Sequence, residues 1–187
     1  MWHELWRGTL AGIMATGPMT GFMQAGRRLL PWREQYPLPP RQITMEVARQ
    51  TGIRDELDSV TKQWATALAH FGYGGAMGGL YAGGVRKLTG GGILSGIGWG
   101  LTVWSSSYLG ALPALGILSP ATQHPARRNA LMIAAHVVWG AALEACLQHL
   151  EDNQQSDVAQ DHQRQNPGGE RGVPTMSAAD CFRPRRN

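Results

Sequence analysis

Residues 70–84 read HFGYGGAMGGLYAGG, a histidine followed by a ladder of small residues. Gly75, Gly79 and Gly83 stand four apart, so on a helix they share one face. In water each interior glycine costs a helix about 1 kcal/mol relative to alanine. In a bilayer the balance changes, because lipid tails remove the hydrophobic drive between helices. A face of hydrogen atoms then lets two backbones approach until dispersion and weak Cα–H···O contacts hold them. The same spacing recurs at Gly92, Gly96 and Gly100, and at Gly8 and Gly12. Three such faces predict a tightly packed membrane bundle.

The charges agree with that reading. Only 16% of the 187 residues are charged, against about 25% in soluble domains, and they leave long gaps. Uncharged runs of 19, 23 and 39 residues separate Arg7 from Arg27, Lys62 from Arg86 and Lys87 from Arg127. A further 22 residues between Arg128 and Glu151 carry one charge, Glu144. A span needs roughly 20 mostly apolar residues. The expected fold is therefore all-α: a polytopic bundle of four transmembrane helices near 5–25, 64–84, 92–112 and 130–150. Trp2 and Trp6 suit the water interface, and the N-terminal segment reads as a retained helix. Pro18 should bend the first span. Pro113 should interrupt the third, leaving SYLGALPALGIL (107–118) as an interfacial or re-entrant turn. Between the first two spans, Pro39–Gly52 reads as a short helix with prolines at its start and a glycine stop, lying on the membrane surface or in a solvated loop. The membrane domain is expected over 1–150. From Glu151 the chain is polar and without apolar periodicity, so 151–187 reads as a disordered tail.

The net charge of +4 invites a nucleic-acid reading. No aromatic-basic motif or zinc spacing supports it, and the arginines fall in the breaks between apolar runs. Cys146 and Cys181 define no disulfide framework and no metal site. Segments 26–63 and 119–128 carry nine Lys and Arg residues, against four near the other ends of the spans. Positive charge stays on the cytoplasmic side, so both longer loops are expected inside and both termini outside.

Two segments pair up along the chain. AHFGYGGAMGGL (69–80) and AHVVWGAALEAC (135–146) share Ala-His, an aromatic residue and a glycine four after the histidine. GTLAGIMATG (8–17) and GILSGIGWGL (92–101) share Gly, Leu, Gly and Ile at matching places. A tandem repeat of a two-helix unit accounts for both matches, and it would relate parallel repeats by an axis along the membrane normal. His70 and His136 then lie about seven residues into their spans, ~10 Å deep and on the same side. Three uses are open to them. Each can bond a neighbouring helix; the pair can ligate haem b, with Gly74 and Gly140 making room for a porphyrin; or they can handle protons or ions with Glu144 in a small dimeric transporter. No Ser/His/Asp set, phosphate loop or acidic pair on one helix face is present, so a non-enzymatic protein with the bilayer as its partner is expected.

At GPMTGFM, YPLPPRQIT, HFGYGGAMGGLY and YLGALPALGILSPATQHPARRNALMIAAHVVWGAAL the chain resembles small bacterial membrane proteins of the YagU-like inner-membrane family. The resemblance covers about 5–148. It implies a helical inner-membrane protein without an established activity, associated with acid-stress tolerance. It supplies no catalytic residues, and Glu144 stands where the resemblance would put a small residue.

Overall fold

The computed structural model describes residues 2–165, which contain helices and no strand. Helix α1 is Trp2–Leu29 and α2 is Pro39–Gln50. Helix α3, Ser59–Leu80, continues through a π turn at Tyr81–Val85 into Arg86–Thr89. Helix α4, Ile93–Ser105, continues through a π turn at Ser106–Ala111 into Leu112–Ala114. Helix α5 is Ala126–Gln165. The chain divides after Leu150 into two compact units, and the packing described below lies in the first.

Local chemistry sets the ends. Pro39 begins α2, where no backbone N–H is needed. Beyond its end, Gly52 adopts φ 78°, and the Gly52 and Ile53 N–H groups return to the Arg49 and Ala48 carbonyls, closing a Schellman motif. Asp58 caps α3 by accepting from the Thr61 N–H at 2.9 Å. Gly90, Gly91 and Gly92 turn α3 into α4 with φ of 77°, 74° and 91°, three left-handed residues in succession that only glycine adopts cheaply.

Helix α1 includes Pro18 without a break in the helix. Two expectations change. Pro113 does not interrupt its helix: the π turn Ser106–Ala111 shifts the hydrogen-bond register, with the Leu112 N–H reaching the Ser107 carbonyl. That shift accommodates a residue lacking its own N–H, and the helix ends only at Gly116, in a second Schellman motif. The polar stretch after Leu150 is helical to Gln165. No glycine or proline occurs between Gly140 and Pro167 to stop it, and Gln, Glu and Ala sustain it. Residues 166–187 of the expected tail lie outside the described residues.

The helices pack as two antiparallel hairpins. In the first, a Cβ on Gly8 would strike the Gly78 carbonyl, and one on Gly12 the Gly74 carbonyl. In the second, Gly96 and Gly140 lie on each other's carbonyls, and Gly100 lies on that of His136. The seam on α3 is thus displaced by one residue from the expected face. Gly74 and Gly78 take the glycines of α1, while Gly75, Gly79 and Gly83 seat the larger side chains of Thr9, Ile13 and Leu5. Gly92 is not a packing position, since its Cβ would meet open space; its left-handed φ starts α4.

Between hairpins, the Trp99 and Trp139 indoles donate to the Met77 and Gly12 carbonyls at 3.0 and 3.4 Å, and Tyr73 bonds Ser107 at 2.8 Å. At the loop end the Arg128 guanidinium, stacked over the Tyr36 ring, donates to the carbonyls of Glu34, Tyr36 and Pro37. Both long connections therefore meet at one end of the unit.

Alanine substitution should separate the seam from the outer faces. Gly12→Ala and Gly96→Ala push a methyl into a facing backbone and should each cost about 1–3 kcal/mol, read as a lower melting temperature in detergent. Gly21→Ala and Gly98→Ala meet no atom within 4 Å and should be neutral or slightly stabilising. Equal effects at all four positions would show that the seam carries no special weight.

Candidate functional site

The hairpin seams bring His70 and His136 to the wall of one cavity of about 360 Å³. Thr16, Met19 and Met23 of α1, Tyr73 and Met77 of α3, and the π turn of α4 supply much of the remaining lining, with Trp139 beside His136. Pro40, Ile43 and Thr44 of α2 close the loop side. The lining is apolar apart from the two imidazoles and a few hydroxyls. Among the described residues no carboxylate lines it.

The two histidines differ in their bonding. His136 Nδ1 lies 2.8 Å from the Met132 carbonyl one turn back, which assigns the proton to Nδ1 and leaves Nε2 as a lone pair. Its ring meets Tyr108 edge to face at 6.0 Å. His70 Nε2 is buried without a hydrogen-bond partner. An unpartnered buried nitrogen costs about 1–3 kcal/mol, so His70 is not the bonded helix glue that one reading of the sequence assigned to it. The porphyrin reading also loses its slot. Gly74 is filled by Gly12 and Thr16, and Gly140 by Gly96, so neither leaves space beside its histidine.

Glu144 stands at the other end of the unit, away from both histidines. It is fully buried and fully bonded. Arg86 Nε and Nη2 donate to its carboxylate at 3.0–3.1 Å, the Tyr81 hydroxyl at 2.7 Å, the Gly92 N–H at 2.9 Å and Gln148 at 3.3 Å. Tyr81 also bonds Ser95 and stacks on Trp99. This cluster ties the α3–α4 turn to α5, and a carboxylate with every lone pair engaged is poorly placed to move a proton.

Arg86, Tyr81 and Arg128 were not singled out from sequence as site residues. A signal for Arg86 existed: a lone acid in an apolar run requires a nearby cation, and the short break between the second and third apolar runs holds Arg86 and Lys87. Arg128 bonds only backbone carbonyls, which no side-chain pattern announces. Among the described residues no group of three or more His, Cys, Asp or Glu is placed to hold a metal ion. Comparison with protein-family models, with curated proteins and with solved structures gives no match to this chain.

Glu144→Ala removes the buried carboxylate that Arg86 binds, and Arg86→Leu leaves that carboxylate without its guanidinium. Each should destabilise the unit by about 3–5 kcal/mol, the usual loss when one partner of a buried pair is removed. Arg86→Leu combined with Glu144→Gln should recover much of that loss in thermal unfolding. Strict additivity of the single effects would mean that the pair is not coupled.

Proposed function

We propose that the chain is a multi-pass inner-membrane protein, with α1, α3, α4 and α5 as its four spans, acting by binding and scaffolding rather than by catalysis. The observation that carries this reading is the apolar exterior of the bundle. Large apolar side chains face outward, among them Trp6 (67% exposed), Leu68 (71%) and Leu94 (83%), while Thr16, His136 and a fully buried Glu144 lie inside beside apolar residues such as Trp139 and Leu143. Water-soluble monomers rarely expose contiguous apolar surface beyond a few hundred Å², whereas lipid tails solvate it.

By length and composition, among the described residues only α5 over Ala126–Ser156 is apolar enough to count as a span unaided. A core helix of a water-soluble protein passes the same test, so the case for α1, α3 and α4 rests on their outward faces. Their glycines lower the average hydropathy without adding polar surface to lipid. Length is sufficient: the 28 residues of α1 and 22 of α3 reach ~42 and ~33 Å.

The tandem repeat draws support from matching contacts. Gly12 with Gly74 corresponds to Gly96 with Gly140 under the sequence alignment, and Tyr73 and Trp139, also aligned, each bond across to the other hairpin. Both long loops meeting at Arg128 agrees with a shared cytoplasmic side. The resemblance to YagU-like proteins suggests a role in tolerance of acid stress.

The chain should remain in the membrane pellet after alkaline carbonate extraction. A C-terminal phosphatase fusion should be active and a C-terminal fluorescent-protein fusion dark. Release by carbonate would defeat the membrane reading, and the reverse fusion pattern would invert the topology alone. After expression with haem supply, the purified protein should show no Soret band; a stoichiometric band would restore the haem reading.

A further inference from the structure

A second cavity, of about 270 Å³, adjoins the first at the loop end and is more polar. Arg27, Arg41, Gln24, Gln63 and Thr66 contribute to its wall beside Met23, Leu38 and Pro40, and among the described residues no carboxylate does. Met23, Pro40 and His70 line both cavities, so the two are neighbours with those three residues between them. Arg27 is held in place by its own Nε and Nη2, which donate to the Gln35 carbonyl at 3.1 and 2.6 Å. At the junction stands the imidazole whose Nε2 has no partner in the protein.

We infer that these neighbouring cavities bind one single-chain anionic amphiphile, its head between Arg27 and Arg41 and its hydrocarbon chain passing the flexible Met23 side chain into the His136–Trp139 cavity. The apolar cavity lies in the about 300–1,000 Å³ range of small-molecule sites. Its Met19, Met23 and Met77 side chains are flexible enough to fit a chain without fixed shape. The two guanidiniums provide paired donors for a carboxylate or phosphate, and His70 provides a further donor where head meets chain. The order of the cavities also fits a membrane. Arg27 and Arg41 belong to the loop end, at the interface of the proposed topology, and Thr16 and Met77 lie deeper along their helices. A two-chain lipid is not expected, since the inner cavity has room for one chain. The inference takes from the membrane reading only the source of the ligand.

The test is binding of radiolabelled palmitate to the full chain in nanodiscs whose reconstitution has been verified, with empty nanodiscs subtracted. One saturable site per chain is expected. Arg41→Gln, at an exposed position, should weaken it at least tenfold, as should Arg27→Gln. Ala111→Phe, which narrows the inner cavity, should do the same from the chain side. Methyl palmitate should compete at least tenfold less well than palmitate, and millimolar acetate or inorganic phosphate should not compete. Stronger competition by lysophosphatidylglycerol would identify the head as a phosphate, and weaker competition would identify it as a carboxylate; both support the site. Equal competition by methyl palmitate, displacement by inorganic phosphate, equal competition by two-chain phosphatidylglycerol, or wild-type binding by Arg41→Gln would each overturn it. Because only reconstituted protein is assayed, loss of binding counts against the site and not against the membrane reading.

Discussion

Backbone lying on backbone at two glycine pairs, Gly12 with Gly74 and Gly96 with Gly140, is the constraint on which the rest of the unit depends. Each residue's missing Cβ leaves the space that the facing carbonyl occupies. At that separation the register is fixed, because a slip of one residue would press a side chain such as Ile13 or Tyr73 into the seam. The register in turn aims Tyr73 and Trp139 across to the opposite hairpin and sets both histidines on one cavity. It also decides what faces outward. Beside the glycine seams Trp139, Leu143 and Leu147 fill the inside, while Trp6, Leu68 and Leu94 stand off the seams and face outward.

Much of this was legible in the sequence, for definable reasons. Uncharged runs located the long helices because charge in a packed or lipid-facing helix is costly wherever it falls. Pro39 and Gly52 bounded α2 because each acts through its own backbone, independent of tertiary context. Spacing by four identified α3 as a packing helix but not which of its adjacent glycine rows meets the partner backbone. That choice is made by Thr9 and Ile13 on α1, which occupy the other row. Pro113 misled because a π turn upstream absorbs it, and nothing local in SSSYLGALP announces that adjustment.

The polar sites were less legible, since they depend on which segments meet. Glu144 was visible as an isolated acid, yet its partners come from Tyr81, Arg86 and Gly92, between 52 and 63 residues away in the chain. In the alignment of the repeats Glu144 corresponds to Gly78, and Gly92 corresponds to Gly8. Gly8 lies directly on the Gly78 backbone. At the matching place of the second hairpin a carboxylate accepts the Gly92 N–H. One hairpin closes this end by contact and the other by charge. A charge buried there must be paired, and the cluster supplies the pairing in full.

The opposite end opens for a complementary reason. Moving along α3 from the turn toward its N-terminus, the seam uses Gly78 and then Gly74, and the next residues on that side are His70 and Ala69. On α1 the seam passes Gly8 and Gly12 and ends at Thr16, followed by Met19 and Met23. Once the seam residues carry side chains, α1 and α3 can no longer touch backbone to backbone. The second hairpin behaves alike: Gly100 is the last seam glycine of α4 before Val103, and the π turn that accommodates Pro113 then carries Ser107 and Tyr108 to the cavity wall. The cavity lies where the glycine seams end, which is also where both histidines stand, one helical turn beyond Gly74 and Gly140. The repeated His-to-Gly spacing is therefore a statement about geometry. The glycine brings the helices together, and the histidine marks the turn at which they separate and leave room between them.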